Sequence, residues 1–189
     1  SGTLFGANLP DGFHYRERFI STDDEQRLVG DIGRVEFSNF EMRGVVARRR
    51  VAFFGSSYDS GRAPSPPIPS FLLPIRNALA SWAAVDPESF AMALINEYGP
   101  GAPIGWHRDA PQYDIVAGIS LLSACRIKFR PYVSPGEQRA GGPRRLATHE
   151  IRLEPRSAYL MTGPARTSYE HHIPAVSTLR YSITFRTLR

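Results

Sequence analysis

The residues best suited to chemistry in this sequence are histidines and one neighbouring carboxylate. His107 and Asp109 are separated by a single residue, so in an extended segment both side chains project to the same face. A histidine from a distant strand, His171 or His172, would complete a set of two imidazoles and one carboxylate. That set leaves coordination positions open and is typical of non-haem Fe(II) sites that react with oxygen. The alternative is a surface His–Asp hydrogen bond with unrelated histidines.

The C-terminal segment 179–188 carries a second candidate group, two arginines on one face of a predicted strand. Alternation puts its polar side chains, Arg180, Ser182, Thr184 and Arg186, opposite its apolar ones, Tyr181, Ile183 and Phe185. If the polar face lines the interior, the arginines need an anionic partner, because an unpaired buried charge is costly. A small dicarboxylate could then bridge them, with Asn96 and Tyr98 on another strand adding donors. The alternative is that this face is a solvated exterior.

The second half of the sequence predicts the strands that would position these side chains. Short runs bounded by glycine, proline or polar turns predict seven strands, at 90–98, 115–124, 126–132, 148–153, 157–161, 169–173 and 179–188. Strands at this spacing favour a sandwich or jelly roll, which has room for a ligand at its mouth.

The first half of the sequence predicts helices and one strand. Thr22 and Glu25 resemble a capping box at the start of a helix over 23–32. Residues 48–54 predict a strand, and the glycine-, serine- and proline-rich loop 55–69 has the length of a functional lid.

An amphipathic helix is predicted over 70–85, with Ile75, Leu79 and Trp82 on one face and Pro74 in its first turn. The basic stretch 134–145 lies between two predicted strands, so we expect it to be an exposed insertion.

Composition narrows the class of protein. The 189 residues are 42% hydrophobic and 22% charged, which is typical of a globular protein, and no apolar run is long enough to span a membrane. The single cysteine, Cys125, excludes an internal disulfide and a cysteine-rich metal site, and it fits a reducing compartment. No segment has the pattern of a secretory signal. We therefore expect a cytoplasmic protein, and a monomer.

The basic charge consists almost entirely of arginine. The net charge is +5, and Lys128 is the one lysine. Arginine matches phosphates and carboxylates bidentately, so this balance suits nucleic acid or another anionic ligand. The alternative is a compositional preference for arginine on a solvated surface.

Four segments in this order resemble the AlkB family of Fe(II)- and 2-oxoglutarate-dependent dioxygenases. They are Asn96-Glu97-Tyr98-Gly99-Pro100-Gly101, His107-Arg108-Asp109, His171-His172-Ile173-Pro174 and the strand from Arg180 to Arg186. The resemblance extends over about residues 48–189. It implies one domain over 1–189, α+β but mainly β, with a double-stranded β-helix (jelly roll) core. The implied parts are an N-terminal extension with a helix at 1–47, a nucleotide-recognition lid at 48–69, a helix at 70–89 and the jelly-roll core at 90–189.

The resemblance also implies a role for each candidate side chain, with Fe(II), 2-oxoglutarate and O2 as cofactors. The implied iron ligands are His107, Asp109 and His171, because the family pattern fits the register of His171 rather than that of His172. The implied 2-oxoglutarate residues are Asn96, Tyr98, Arg180, Ser182 and Arg186, with Arg180 at the distal carboxylate and Arg186 near the iron-bound end.

Residues 48–61 resemble the family's nucleotide-recognition lid, with basic residues next to aromatic ones. The implied substrate-binding residues are Arg50, Phe53 and Tyr58, of which Tyr58, on the loop, is the better candidate for stacking on a base. At least one of the neighbouring Phe53 and Phe54 is expected to be core.

The function implied is the oxidative removal of N-alkyl groups from DNA or RNA bases, with nucleic acid as partner. The sequence departs from the family at one point. Many repair members carry a second acidic residue two positions after the metal aspartate; here Pro111 stands in that place, and Asp114 is displaced. This departure favours an alternative, the same oxygenase chemistry on a protein side chain or small molecule. A third hypothesis, a binding module without metal or with zinc, predicts no iron requirement.

Overall fold

The structure is a computed structural model that describes residues 9–42, 45–56, 65–140 and 147–189. In chain order its elements are β1 (Phe13–Arg16), α1 (Thr22–Ile32), β2 (Ser38–Met42), β3 (Val45–Gly55), α2 (Leu73–Ala83), β4 (Phe90–Tyr98), β5 (Ile104–His107), β6 (Tyr113–Leu121), β7 (Cys125–Pro131), α3 (Pro135–Ala140), β8 (His149–Leu153), β9 (Ala158–Met161), α4 (Gly163–Thr167), β10 (Tyr169–Ile173) and β11 (Arg180–Leu188). None of the helices in these residues is long and apolar enough to cross a membrane.

The strands form two antiparallel sheets packed against each other. The large sheet has seven strands in the order β1-β9-β6-β11-β4-β3-β2, and the small sheet has four in the order β5-β10-β7-β8. Side chains of both sheets share one hydrophobic cluster, including Phe129 and Leu153 of the small sheet and Tyr98, Val116 and Tyr159 of the large one. This architecture confirms the predicted jelly roll.

Two helices cover the outer face of the large sheet. Leu28 and Ile32 of α1 and Ile75 and Leu79 of α2 belong to a second cluster with large-sheet side chains, among them Ile95, Ile183 and Phe185. The apolar face of β11 therefore packs against the helices. Because side chains alternate along a strand, its polar face must point between the two sheets.

The start of α1 differs from the sequence prediction by one residue. Ser21, not Thr22, is the N-cap, and its Oγ accepts a hydrogen bond from the backbone N–H of Asp24 at 3.1 Å. Glu25 does not reach back to the cap, because its Oε2 accepts the backbone N–H of Leu122 at 3.1 Å. Ser21 has the extended backbone that an N-cap requires, and it therefore caps the helix in place of the predicted Thr22.

Left-handed residues decide where other elements end. Ala84, at φ 56°, ends α2 before the predicted limit of 85, and Leu122, at φ 71°, ends β6 before the predicted limit of 124. Helix α3 occupies part of the predicted insertion 134–145, of which 141–145 lie outside the described residues. Three short strands, β1, β2 and β5, were not predicted.

Candidate active site

The pairing of β5 with β10 brings two distant histidines together. His107 and His171 are register partners, and their ring centroids lie 4.2 Å apart. Asp109 follows β5 by two residues, and its Oδ1 lies 3.5 Å from Nε2 of His107 and 3.9 Å from Nε2 of His171. One ligand atom from each residue lies within 4.8 Å of the others, close enough to share one metal ion. Two imidazoles and a carboxylate suit Fe(II) and leave positions open.

His172 turns away from this group. Its ring lies 5.1 Å from that of Trp106, and its Nδ1 is hydrogen-bonded to the carbonyl oxygen of Ile104. Successive residues of a strand face opposite sides, so β10 can present only one of its two histidines to the interior. The structure brings His171, not His172, to His107 and Asp109.

The protonation states favour metal binding. Burial, followed by the neighbouring His107, lowers the pKa of His171 to about 3 against the opposing effect of Asp109, so its imidazole is neutral and can donate a lone pair. His107 has its Nδ1 2.8 Å from the carbonyl oxygen of Gly105, which fixes the ring and leaves Nε2 facing the carboxylate.

Arg186 binds one of the two carboxylate oxygens of Asp109 and leaves the other facing the histidines. Its Nε donates to Oδ2 at 2.9 Å, whereas Oδ1 faces the two histidines. Burial raises the pKa of Asp109, but Arg186 and the histidines overcome that effect and hold the pKa well below its usual value. The carboxylate is therefore ionised, with Oδ1 directed to the candidate metal position.

Arg180 is a buried cation without an anion. It is 0% exposed; its Nε donates to Ser120 Oγ at 3.0 Å, and its Nη1 and Nη2 are buried without a hydrogen-bond partner in the described residues. Register pairing places Tyr98 beside it on β4, with its ring 5.0 Å from the guanidinium. Two unsatisfied donors on a buried charge are costly, and a carboxylate would satisfy both. The sequence left open whether the polar face of this strand lines the interior or faces solvent. In the structure, the polar face of β11 lies inside.

A polar chain continues from Arg180 along the same face. Asn96 pairs with Ser182 in register, and its Nδ2 lies 3.5 Å from Ser182 Oγ. Arg49 of β3 donates from Nη1 to Asn96 Oδ1 at 3.0 Å, which directs the amide nitrogen towards Ser182. The residues present thus fit a dicarboxylate next to a metal ion.

A family model agrees with this geometry. The model of the 2OG-Fe(II) oxygenase superfamily matches residues 34–186, which include every side chain described in this site. The chain belongs to this superfamily. This chain is therefore a domain of the Fe(II)- and 2-oxoglutarate-dependent oxygenases, a family that uses O2, and we refer to it as the oxygenase.

Curated relatives support the resemblance to the AlkB family. The oxygenase is 25% identical over 185 residues to the Alkylated DNA repair protein ALKBH8 homolog of Arabidopsis thaliana, covering 88% of this chain and 51% of the relative. It is also 25% identical over 166 residues to an uncharacterized protein of Acanthamoeba polyphaga mimivirus, covering 86% of this chain and 73% of that one. The oxygenase thus spans about half the length of the Arabidopsis relative.

Solved structures share the fold. The structure of OsALKBH1 aligns with a TM-score of 0.67 at 15% identity, over 95% of this chain and 99% of that one. A Pseudomonas putida prolyl-4-hydroxylase aligns with a TM-score of 0.62 at 13% identity, over 94% and 93%. These structures confirm the expected fold, a double-stranded β-helix, and the Arabidopsis relative is in keeping with the resemblance to the AlkB family.

The three predicted substrate-binding residues do not lie together in the structure. Arg50 faces away from the triad, with its Nε 2.7 Å from Glu97 Oε1 and its guanidinium over the ring of Phe37. Phe53 shares a face with Arg49 and joins an apolar cluster with Met92 and Tyr113. Tyr58 lies outside the described residues.

Arg186, which binds Asp109 of the triad, also contacts that cluster. The guanidinium of Arg186 is 5.7 Å from the Tyr113 ring, and its Nη1 lies 3.8 Å from Met92 Sδ. Phe54, the neighbour of Phe53, packs instead against the helix-side core. Phe53 therefore belongs to the wall of the site, whereas Phe54 is structural.

Several residues of the site region were not predicted, among them Arg49, Met92, Tyr113, Ser120 and Arg166. Arg166, 4% exposed, donates to the carbonyl oxygen of Ala110, in the loop after Asp109, and to those of Tyr113 and Asp114 at the start of β6. The run of three arginines at 48–50 was a signal for Arg49, but only strand register shows which of them faces inward. Nothing local distinguishes Ser120 or Arg166.

Proposed function

We propose that the oxygenase removes N-alkyl groups from bases of DNA or RNA by oxidation. The observation that carries this proposal is the aromatic cluster next to the site: the Tyr113 ring lies 5.7 Å from the guanidinium of Arg186, which binds Asp109, and the partly buried Phe53 packs against the same cluster. Planar aromatic surfaces next to a metal position suit a base that has left its stack. The name of the Arabidopsis relative, an alkylated DNA repair protein, supports the same substrate class.

In this proposal the chain's residues hold and orient the reactants. His107, Asp109 and His171 hold the iron, Arg180 binds the distal carboxylate of 2-oxoglutarate, and Asn96, Tyr98 and Ser182 complete that pocket. Arg186 keeps the Asp109 carboxylate ionised and oriented. The bound iron, 2-oxoglutarate and O2 together supply the oxidation that hydroxylates the N-alkyl carbon, with succinate and carbon dioxide as coproducts. The hydroxylated group then leaves as an aldehyde, and the nitrogen regains its hydrogen.

The reaction can be tested with a panel of methylated oligonucleotides, both DNA and RNA. With iron, 2-oxoglutarate and ascorbate, we expect formaldehyde, succinate and the unmodified base in equal amounts, measured by mass spectrometry and a formaldehyde assay. The matched control is Asp109→Asn, which keeps the size of the side chain but removes its charge; we expect it to release no formaldehyde, because the metal loses its anionic ligand.

The outcome separates two candidate functions. Steady succinate production without any demethylated base, across all DNA and RNA members of the panel, would rule out the proposal. It would instead favour a protein side chain or a small molecule as substrate. One observation favours that second candidate: Pro111 stands where many repair members carry an acid, and Asp114 is half-exposed, with its Oδ1 3.8 Å from Arg189.

A further inference from the structure

Exposed arginines on the outer face of the small sheet are neutralised by glutamates. Each has a partner on the same or the neighbouring strand or just beyond it: Arg126 with Glu150 at 3.0 Å, Arg130 with Glu170 at 2.8 Å and Arg152 with Glu154 at 2.6 Å. This face therefore presents little net positive charge to a polyanion, although it is rich in arginine.

Arg108 is an exposed arginine of a different kind. Its guanidinium carbon lies 3.5 Å from the centre of the Tyr132 ring, and its Nη1 donates to the carbonyl oxygen of Thr167 at 2.9 Å. Within the described ranges, no carboxylate forms an ion pair with it. Its charge is thus held in place but not neutralised.

Arg108 lies next to the metal triad in the sequence and in the structure. It stands between His107 and Asp109, and alternation directs its side chain away from theirs. Tyr132 follows β7 and Thr167 precedes β10, and both strand ends lie on the side of the small sheet towards which Asp109 leads. His107 is 34% exposed while Asp109 is 8% exposed, so the triad opens on the His107 side, next to Arg108.

The two contacts organise Arg108 for an oxyanion. A guanidinium has five N–H donors in a planar fork, and here one nitrogen bonds a carbonyl while the plane is supported by an aromatic ring. The remaining donors face solvent, because the residue is exposed. Such a fork matches the geometry of a phosphate, and its rotamer freedom is already restricted before binding.

We propose that Arg108 binds a backbone phosphate of the nucleic acid strand whose alkylated base enters the site. This inference rests on the proposed function and adds to it a residue that positions the strand. A phosphate contact fixes the register of a strand without reading its sequence. Arg108 would thereby place one nucleotide beside the triad, whatever its neighbours are.

The test is the salt dependence of binding, measured by fluorescence anisotropy. A labelled single-stranded oligonucleotide with one methylated base is titrated with the iron- and 2-oxoglutarate-loaded oxygenase, without oxygen, at several salt concentrations. For Arg108→Gln we expect about tenfold weaker binding, as for loss of one charged hydrogen-bond group. The slope of log K against log salt should shrink by about 0.7, the contribution of one phosphate on a single strand.

Arg126→Gln is the matched control, because it changes the net charge equally on the neutralised outer face. We expect it to leave the affinity and the slope unchanged. Arg108→Lys should keep the slope but bind more weakly, since an ammonium cannot form the bidentate contact. Tyr132→Leu should also keep the slope and lose about two- to threefold in affinity, because the guanidinium is no longer ordered.

Equal slopes for Arg108→Gln and Arg126→Gln would overturn the inference, and thermal unfolding of each variant confirms that both are folded. The two proposals fail separately. Demethylation with an unchanged Arg108→Gln slope refutes the phosphate contact alone. A selective loss of slope without demethylation refutes the proposed reaction and leaves the contact standing.

Discussion

Arg180 shows how a single buried residue can be costly to the fold and useful to the site. Its charge is wholly removed from solvent, and two of its three nitrogens lack hydrogen-bond partners in the described residues. Ser120 and the Tyr98 ring stabilise it only in part. The unliganded protein therefore carries a free-energy cost that a carboxylate would remove, which strengthens binding of a dicarboxylate.

Arg180→Met should separate these two effects. We expect the free energy of unfolding of the cofactor-free protein to rise by about 1 kcal/mol, because a buried charge without an anion is replaced by an apolar side chain of similar length. The KM for 2-oxoglutarate should rise at least about 30-fold, as expected when a buried charged contact worth about 2 kcal/mol or more is lost.

Urea denaturation and steady-state succinate production measure the two quantities. Arg152→Met, on an exposed arginine of β8, serves as the control and should change neither. A variant less stable than the wild type, with an unaltered KM, would show that Arg180 has a structural role only.

At the scale of elements, α4 acts as a brace between the two segments that carry the ligands. This short helix immediately precedes β10, the strand of His171, and its Arg166 crosses to the loop after Asp109. Its guanidinium donates to the carbonyl oxygen of Ala110 in that loop at 3.1 Å, and to those of Tyr113 and Asp114 at the start of β6 at 2.6 and 3.1 Å. The carboxylate ligand and the second histidine are thus held in one rigid unit.

Arg166→Met should loosen this unit. We expect the free energy of unfolding to fall by about 2–3 kcal/mol, because three backbone carbonyls, including that of the buried Tyr113, lose their donor. Metal affinity should fall about tenfold, the lower end of the effect of losing a residue that orients a ligand. Urea denaturation and titration with Mn²⁺ measure these changes.

Arg152→Met is again the control variant, because Arg152 forms an exposed ion pair with Glu154. We expect it to change the free energy of unfolding by no more than about 0.5 kcal/mol. If Arg166→Met lowers stability but binds Mn²⁺ as tightly as the wild type, the brace supports the fold and not the site.

At the scale of the whole molecule, the site joins the two sheets. The small sheet and the loop after it supply His107, Asp109 and His171, while the large sheet supplies Arg180 and Arg186. Each sheet carries half of the proposed site, so we expect metal and 2-oxoglutarate to bind only when the sheets are packed. Binding to the folded state alone stabilises that state by mass action.

Cofactor binding should therefore raise the melting temperature of the whole chain. At about 100 times its dissociation constant, each ligand should add about 2.7 kcal/mol of stability. Differential scanning fluorimetry with Mn²⁺, 2-oxoglutarate and both together measures the shifts. In Asp109→Asn the Mn²⁺-dependent part should disappear, and a full Mn²⁺ shift in that variant would exclude Asp109 as a ligand.

Much of the site could be predicted from local pattern. Alternation along 179–188 separated Arg180 and Arg186 from Tyr181, Ile183 and Phe185, and the structure buries that apolar face under the helices. The spacing of His107 and Asp109, with the AlkB-like segments, indicated an iron site and a jelly roll. These features depend on residues close in sequence, so the sequence carries them directly.

Tertiary structure decided several of the side chains that meet. The register of β5 against β10 brings His171, the histidine that the resemblance to the AlkB family favoured, to His107, and that of β3 against β4 turns Arg49 inward and Arg50 outward. A shift of one residue would reverse both choices. Ser120 and Arg166 reach partners more than 50 residues away in the chain. The sequence by itself determined the faces of the strands and the kinds of ligand; the packing of the two sheets fixed their register, because only a buried core makes a one-residue slip costly.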